Sequence, residues 1–61
     1  MKVYTLTVFE KDGTKLMDEN FEAQNDDDAK KIGQNMLEDK GYAEYTHRCV
    51  SQSGYMVLFH R

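Results

Sequence analysis

The segment from Asn25 to Tyr42 carries a complete helix, with its start, its apolar stripe and its stop all in place. Asn25 is a strong N-cap residue, and Asp28 stands at the capping-box position three residues later. Asp26, Asp27 and Asp28 complement the positive end of the helix dipole. Ala29, Ile32, Gly33, Met36 and Leu37 follow the i, i+3, i+4, i+7, i+8 spacing of one apolar face. Asp26–Lys30 and Asp27–Lys31 have the acid-before-base order that adds ~0.2–0.5 kcal/mol per pair. Gly41 supplies the left-handed stop, and Tyr42 can fold back on Leu37. A helix at this place leaves two short flanks, and both read as paired strands.

In the first flank Tyr4, Leu6 and Val8 alternate with Val3, Thr5, Thr7 and Phe9, a period-two pattern rich in β-branched and aromatic residues. Asp12-Gly13 is a tight-turn signal, and a second strand runs from about Lys15 to Ala23. A two-residue loop places Val8 opposite Met17, Leu6 opposite Glu19 and Tyr4 opposite Phe21, which gathers the core on one face; Phe9 and Leu16 then meet on the other. Glu19 is the misfit on the core face. An inward charge discourages pairing with a second chain, so this strand is expected at a sheet edge.

The second flank holds strands at about Glu44–Ser51 and Tyr55–His60, joined near Ser53-Gly54. A two-residue loop sets Cys49 opposite Leu58 and His47 opposite His60. A three-residue loop, Gln52-Ser53-Gly54, sets Cys49 opposite Val57 and His47 opposite Phe59. The second choice gathers Tyr45, Cys49, Tyr55, Val57 and Phe59 on one face and is preferred. The expected fold is α+β: a two-layer ββαββ domain, a four-stranded sheet with one helix on one face. Strands one and four are the most apolar, so the expected order is 2-1-4-3.

A chain of 61 residues is expected to form one domain, residues 1–61. Such a chain buries only ~60% of its unfolded surface and gains from a partner subunit. A disulfide within the chain is excluded, because Cys49 is the only cysteine. One unpaired thiol fits a reducing compartment. Met1 to Glu10 lacks the unbroken apolar run of a secretion signal, and no stretch approaches the ~18 apolar residues that span a bilayer. The expectation is a cytoplasmic protein without a membrane partner. The net charge of −3 argues against nucleic acid as a general partner, since that binding neutralises phosphates with a basic surface.

The strand-turn segment Tyr4 to Gly13, the approach Phe21-Glu22-Ala23, the exit Leu37 to Tyr42 and the closing Leu58-Phe59-His60-Arg61 together resemble the YhzD-like family, short proteins of Gram-positive bacteria. The resemblance runs nearly the full length. It implies a bacterial, cytosolic protein and transfers no activity and no site residue.

Candidate chemistry is sparse. His47 and Cys49 face the same way on one strand, and in the two-residue register His60 sits across from His47. Two imidazoles and a thiolate are a zinc or copper donor set with an open position. No Cys-x-x-Cys spacing supports it, and no metal or other cofactor is assigned. Cys49 lies mid-strand, where a free cysteine usually acts as a small buried hydrophobe, so no catalytic residue is assigned. Asp26-Asp27-Asp28 is accounted for by the helix start and lacks the glycine and distal glutamate of a calcium loop. Gly33 falls on the apolar stripe, where it permits close approach of helix to sheet.

One helix covers one face of a four-stranded sheet. The other face is left with Val3, Phe9 and Leu16, and with Arg48, Val50, Met56 and Leu58 in the preferred register. Patches of this kind mark interfaces, so Val3, Phe9 and Leu16 are the candidate interface residues. The leading expectation is a non-enzymatic binding or regulatory module that forms a homodimer or binds a protein through this face. Single-stranded nucleic acid is the alternative, because Arg48, Tyr55, Phe59 and Arg61 share a face in the two-residue register. A weak metal site at the C-terminal hairpin ranks last.

Overall fold

The computed structural model describes residues 1–60. The elements are β1 (Lys2–Phe9), β2 (Lys15–Ala23), α1 (Asp26–Lys40), β3 (Thr46–Ser51) and β4 (Met56–His60). All four strands join one antiparallel sheet, and the single helix lies on one face.

The helix begins and ends at the expected residues. Asn25 Oδ1 accepts the Asp28 backbone N–H at 2.8 Å. At the other end Gly41 turns left-handed at φ 76°, the Tyr42 N–H donates to the Leu37 carbonyl at 2.7 Å, and the Gly41 N–H donates to that of Glu38 at 3.1 Å. Those two bonds satisfy carbonyls that the last turn leaves free. Ala29, Gly33 and Leu37 are buried, with Ile32 and Met36 packed beside them. The Asp–Lys pairs expected along the first turns are not closed. Asp26 instead accepts a hydrogen bond from the Tyr4 hydroxyl at 2.7 Å, which fastens the start of α1 to β1.

The sheet order is β2-β1-β3-β4, which corrects the expected 2-1-4-3. Chain direction explains the difference. A helix of this length, about 22 Å at 1.5 Å per residue, returns the chain along the sheet, so β3 runs parallel to β2 and β4 parallel to β1. Setting β3 beside β1 makes every neighbouring pair antiparallel. Setting β4 there would make a parallel pair, which is slightly weaker per residue. The apolar letters of β4 misled because they divide between the two faces. Val57 and Leu58 go to the core, while Met56 and Phe59 are exposed.

The two hairpins use the same device, a three-residue loop followed by a bulge. In the first, the Gly13 N–H donates to the Glu10 carbonyl and the Glu10 N–H to that of Thr14, so the loop is Lys11-Asp12-Gly13 rather than Asp12-Gly13 alone. Gly13 has φ 93°, and no non-glycine residue among those described has positive φ. Taken alone, that loop would send Met17 and Phe21 to the wrong face. A bulge at Leu16 restores the register, so that Val8 faces Met17, Leu6 faces Glu19 and Tyr4 faces Phe21, as expected. Phe9 therefore pairs with Lys15, not Leu16.

In the second hairpin the Gly54 N–H donates to the Ser51 carbonyl and the Ser51 N–H to that of Tyr55, with Gly54 at φ 89°. This is the preferred Gln52-Ser53-Gly54 loop. A bulge at Val57 again shifts the ladder by one, so Cys49 faces Leu58 and His47 faces His60. The preferred pairing of Cys49 with Val57 and His47 with Phe59 is thereby corrected. Tyr45 lies in the turn before β3, and Tyr55 is exposed before β4. The bulge puts Val57 and Leu58 inward together, and Leu58 lies close against the bare backbone of Gly33.

The core is Tyr4, Leu6, Val8, Met17, Ala23, Ala29, Leu37, Cys49 and Val57. Tyr4 stacks on Phe21 with ring centroids 5.8 Å apart. β2 lies at an edge, as Glu19 implied, and Glu19 is exposed there.

Candidate protein interface

The face of the sheet away from α1 divides into two halves. On the β2 side it is polar. Thr5 donates to Asn20 Oδ1 at 2.8 Å, and Lys15 pairs with Asp18 at 3.0 Å. Val3, partly exposed, sits there opposite Glu22. On the β3–β4 side the described residues are mainly apolar, with the cation Arg48 among them. Arg48 stands opposite Phe59, and Val50 stands opposite Met56. The Arg48 guanidinium also lies over the Phe9 ring, 5.5 Å from its centroid. This is cation–π geometry with the Phe9 ring. Met56 is 46% and Phe59 58% exposed.

The three sequence-derived interface residues are not gathered. Phe9 is half-buried under Arg48, Val3 lies in the polar half, and Leu16 is the bulge residue packed against the core. Leu58, also expected on this face, packs against the core instead. Sequence reasoning under-weighted Phe59. The signal was present in the two-residue register, which pairs it with Arg48.

The helix side of the β3–β4 hairpin carries the histidines, His47 on β3 and His60 on β4. His47 and His60 stack with centroids 5.3 Å apart and planes 20° from parallel. The Tyr45 carbonyl lies 2.8 Å from His47 Nδ1. A carbonyl only accepts, so Nδ1 carries the proton and Nε2 is left as the acceptor of the neutral ring. Burial lowers the His47 pKa; the Tyr45 carbonyl opposes this, and the neighbouring His60 adds to it. Both rings line a groove of about 370 Å³ between α1 and β4, with Glu38 at its margin. Among the described residues no three His, Cys, Asp or Glu side chains gather as a metal ion requires. Near-parallel imidazole planes also do not aim two nitrogens at one point.

Cys49 is fully buried beside Leu6 and Leu58. Burial, with the charge of Asp26 adding to it, pushes its thiol up to about 11. A thiol held in that form is a poor nucleophile near neutral pH.

Comparison with known proteins gives the family. The model of the YhzD-like proteins matches residues 1–61. The chain belongs to the YhzD-like family. Uncharacterized protein YhzD of Bacillus subtilis (strain 168) is 43% identical over 61 residues, covering 100% of each chain. No solved structure matches the chain. No helix among the described residues is long and apolar enough to cross a membrane.

Proposed function

We propose that this member of the YhzD-like family is a non-enzymatic binding module that self-associates through the uncovered β3–β4 half of its sheet. The observation that carries this reading is the pair Met56 and Phe59, 46% and 58% exposed and flanked by Val50 and Arg48. Large apolar side chains clustered on an open sheet face are characteristic of interaction sites. A small core also gains stability from a covering subunit. Phe9 lies at the inner margin of the contact, and Val3, opposite Glu22 in the polar half, lies outside it. The module acts in the cytoplasm, in keeping with its single unpaired cysteine. It works without a cofactor.

Light scattering on the wild-type protein and on Phe59→Glu tests the reading. The wild type is expected to be a dimer at micromolar concentration, and Phe59→Glu a folded monomer. Two proteins of equal mass, whether both dimeric or both monomeric, would contradict it.

The strip Phe9–Arg48–Phe59 supports a second reading, a stacking platform for single-stranded nucleic acid with Arg48 on the phosphates. The net charge of −3 weighs against it. A mobility shift with single-stranded oligonucleotides at low salt that Arg48→Ala abolishes would favour this reading. Arg61, also counted toward it in the sequence, lies outside the described residues.

A further inference from the structure

The two edges of this sheet are not alike. β2 carries Lys15, Asp18, Glu19 and Glu22 along its length, three acids against one base. Inward and outward charges on an edge strand are a defence against pairing with another chain. Two β2 edges brought together would also set acid against acid. β4 reads Met56-Val57-Leu58-Phe59-His60 and carries no acid, lysine or arginine. It pairs only with β3, so its outer row of backbone N–H and C=O groups faces away from the sheet.

β4 is also bare on its open face and only partly covered by α1 on the other. On the open side stand Met56 and Phe59; on the helix side the groove lined by His47, Leu58 and His60 runs beside the strand. A partner strand laid along β4 would satisfy the free backbone row and set its own side chains against Met56 and Phe59 as same-face neighbours.

We infer that β4 pairs antiparallel with β4 of a second copy of this chain about a two-fold axis, making one continuous eight-stranded sheet. This rests on the self-association reading above and adds its geometry. Charge decides the occupant. A β4-to-β2 contact would repeat head to tail and build a ring or a filament. The guarded β2 edge opposes that contact and also the β2–β2 one. One open edge and one charged edge leave a closed dimer as the assembly that charge does not oppose.

The test is amide hydrogen exchange followed by NMR, on the full chain at concentrations above and below the dimer dissociation constant. Protection of β4 amides is expected to rise at least tenfold with concentration, while β2 amides stay unchanged. Val3→Lys, on the polar half of the open face, should leave the dimer constant within about twofold. Phe59→Lys should weaken it tenfold or more with an unchanged circular dichroism spectrum. A dimer whose β4 exchange does not depend on concentration, or which Val3→Lys disrupts, would overturn the edge geometry and leave self-association standing. A protein that is monomeric throughout would overturn both. Protection of β2 amides instead, or growth into filaments, would overturn the argument from charge.

Discussion

Asp26 does three things from one position. It supports the positive end of α1, accepts the Tyr4 hydroxyl, and raises the Cys49 thiol pKa through its charge. The hydrogen bond to Asp26, followed by burial, pushes the Tyr4 phenol up to about 12. His47 is the residue whose titration matters near neutral pH. Its folded pKa is depressed by burial, below the usual value of 6.5 that it regains on unfolding. The unfolded chain therefore binds the proton more readily, and the contribution of neutral His47 is complete above pH 6.5 and is lost as pH falls through the folded value. Urea denaturation midpoints are expected to fall between pH 7.5 and 5.5, and His47→Gln should flatten that slope. An unchanged slope in the variant would assign the acid sensitivity elsewhere. The capping and dipole roles of the aspartates were legible in the sequence. The Tyr4–Asp26 bond was not, because it joins residues 22 apart whose meeting depends on how the helix docks on the sheet.

At the scale of elements the helix was legible from end to end, since caps and stripe are local signals. The hairpins were legible only in part. Each has a three-residue loop that shifts the ladder by one and a bulge that shifts it back. The two offsets cancel, so a simple two-residue count reaches the right core pairing by a wrong turn. In the first hairpin the core pattern of Met17 and Phe21 pointed to the answer. In the second, both registers buried apolar residues, and local pattern could not choose. In the observed register Leu58 meets α1. A methyl group on Gly33 would stand 3.1 Å from Leu58 Cδ1 and 3.9 Å from Phe21 Cζ. Gly33→Leu is accordingly expected to lower stability by about 1–3 kcal/mol through overpacking, read from the denaturant midpoint at constant slope. Gly33→Ala should cost much less, because ~1 kcal/mol of helix propensity offsets a small shift of a flexible side-chain end. Equal stability of wild type and Gly33→Leu would mean that helix and sheet do not meet closely there.

For the molecule as a whole, the decisive property is the difference between its two sheet edges. Strand order was the part of the fold least visible in the sequence, since apolar content ranked β4 above β3. Order in fact follows direction: one crossover helix makes β3 the antiparallel neighbour of β1 and leaves β4 outermost. That placement turns an apolar strand into an uncharged edge, with Met56 and Phe59 exposed beside it. Of the candidate interface residues read from the sequence, Val3 and Phe9 lie on the open face, while a bulge turns Leu16 toward the core. Both the uncovered face and the uncharged edge gain a role only if the chain associates with itself. Sedimentation equilibrium of the wild-type protein across the micromolar range measures this most directly. The predicted result is a reversible monomer–dimer equilibrium with no larger species; a single monomeric mass at every concentration would contradict it.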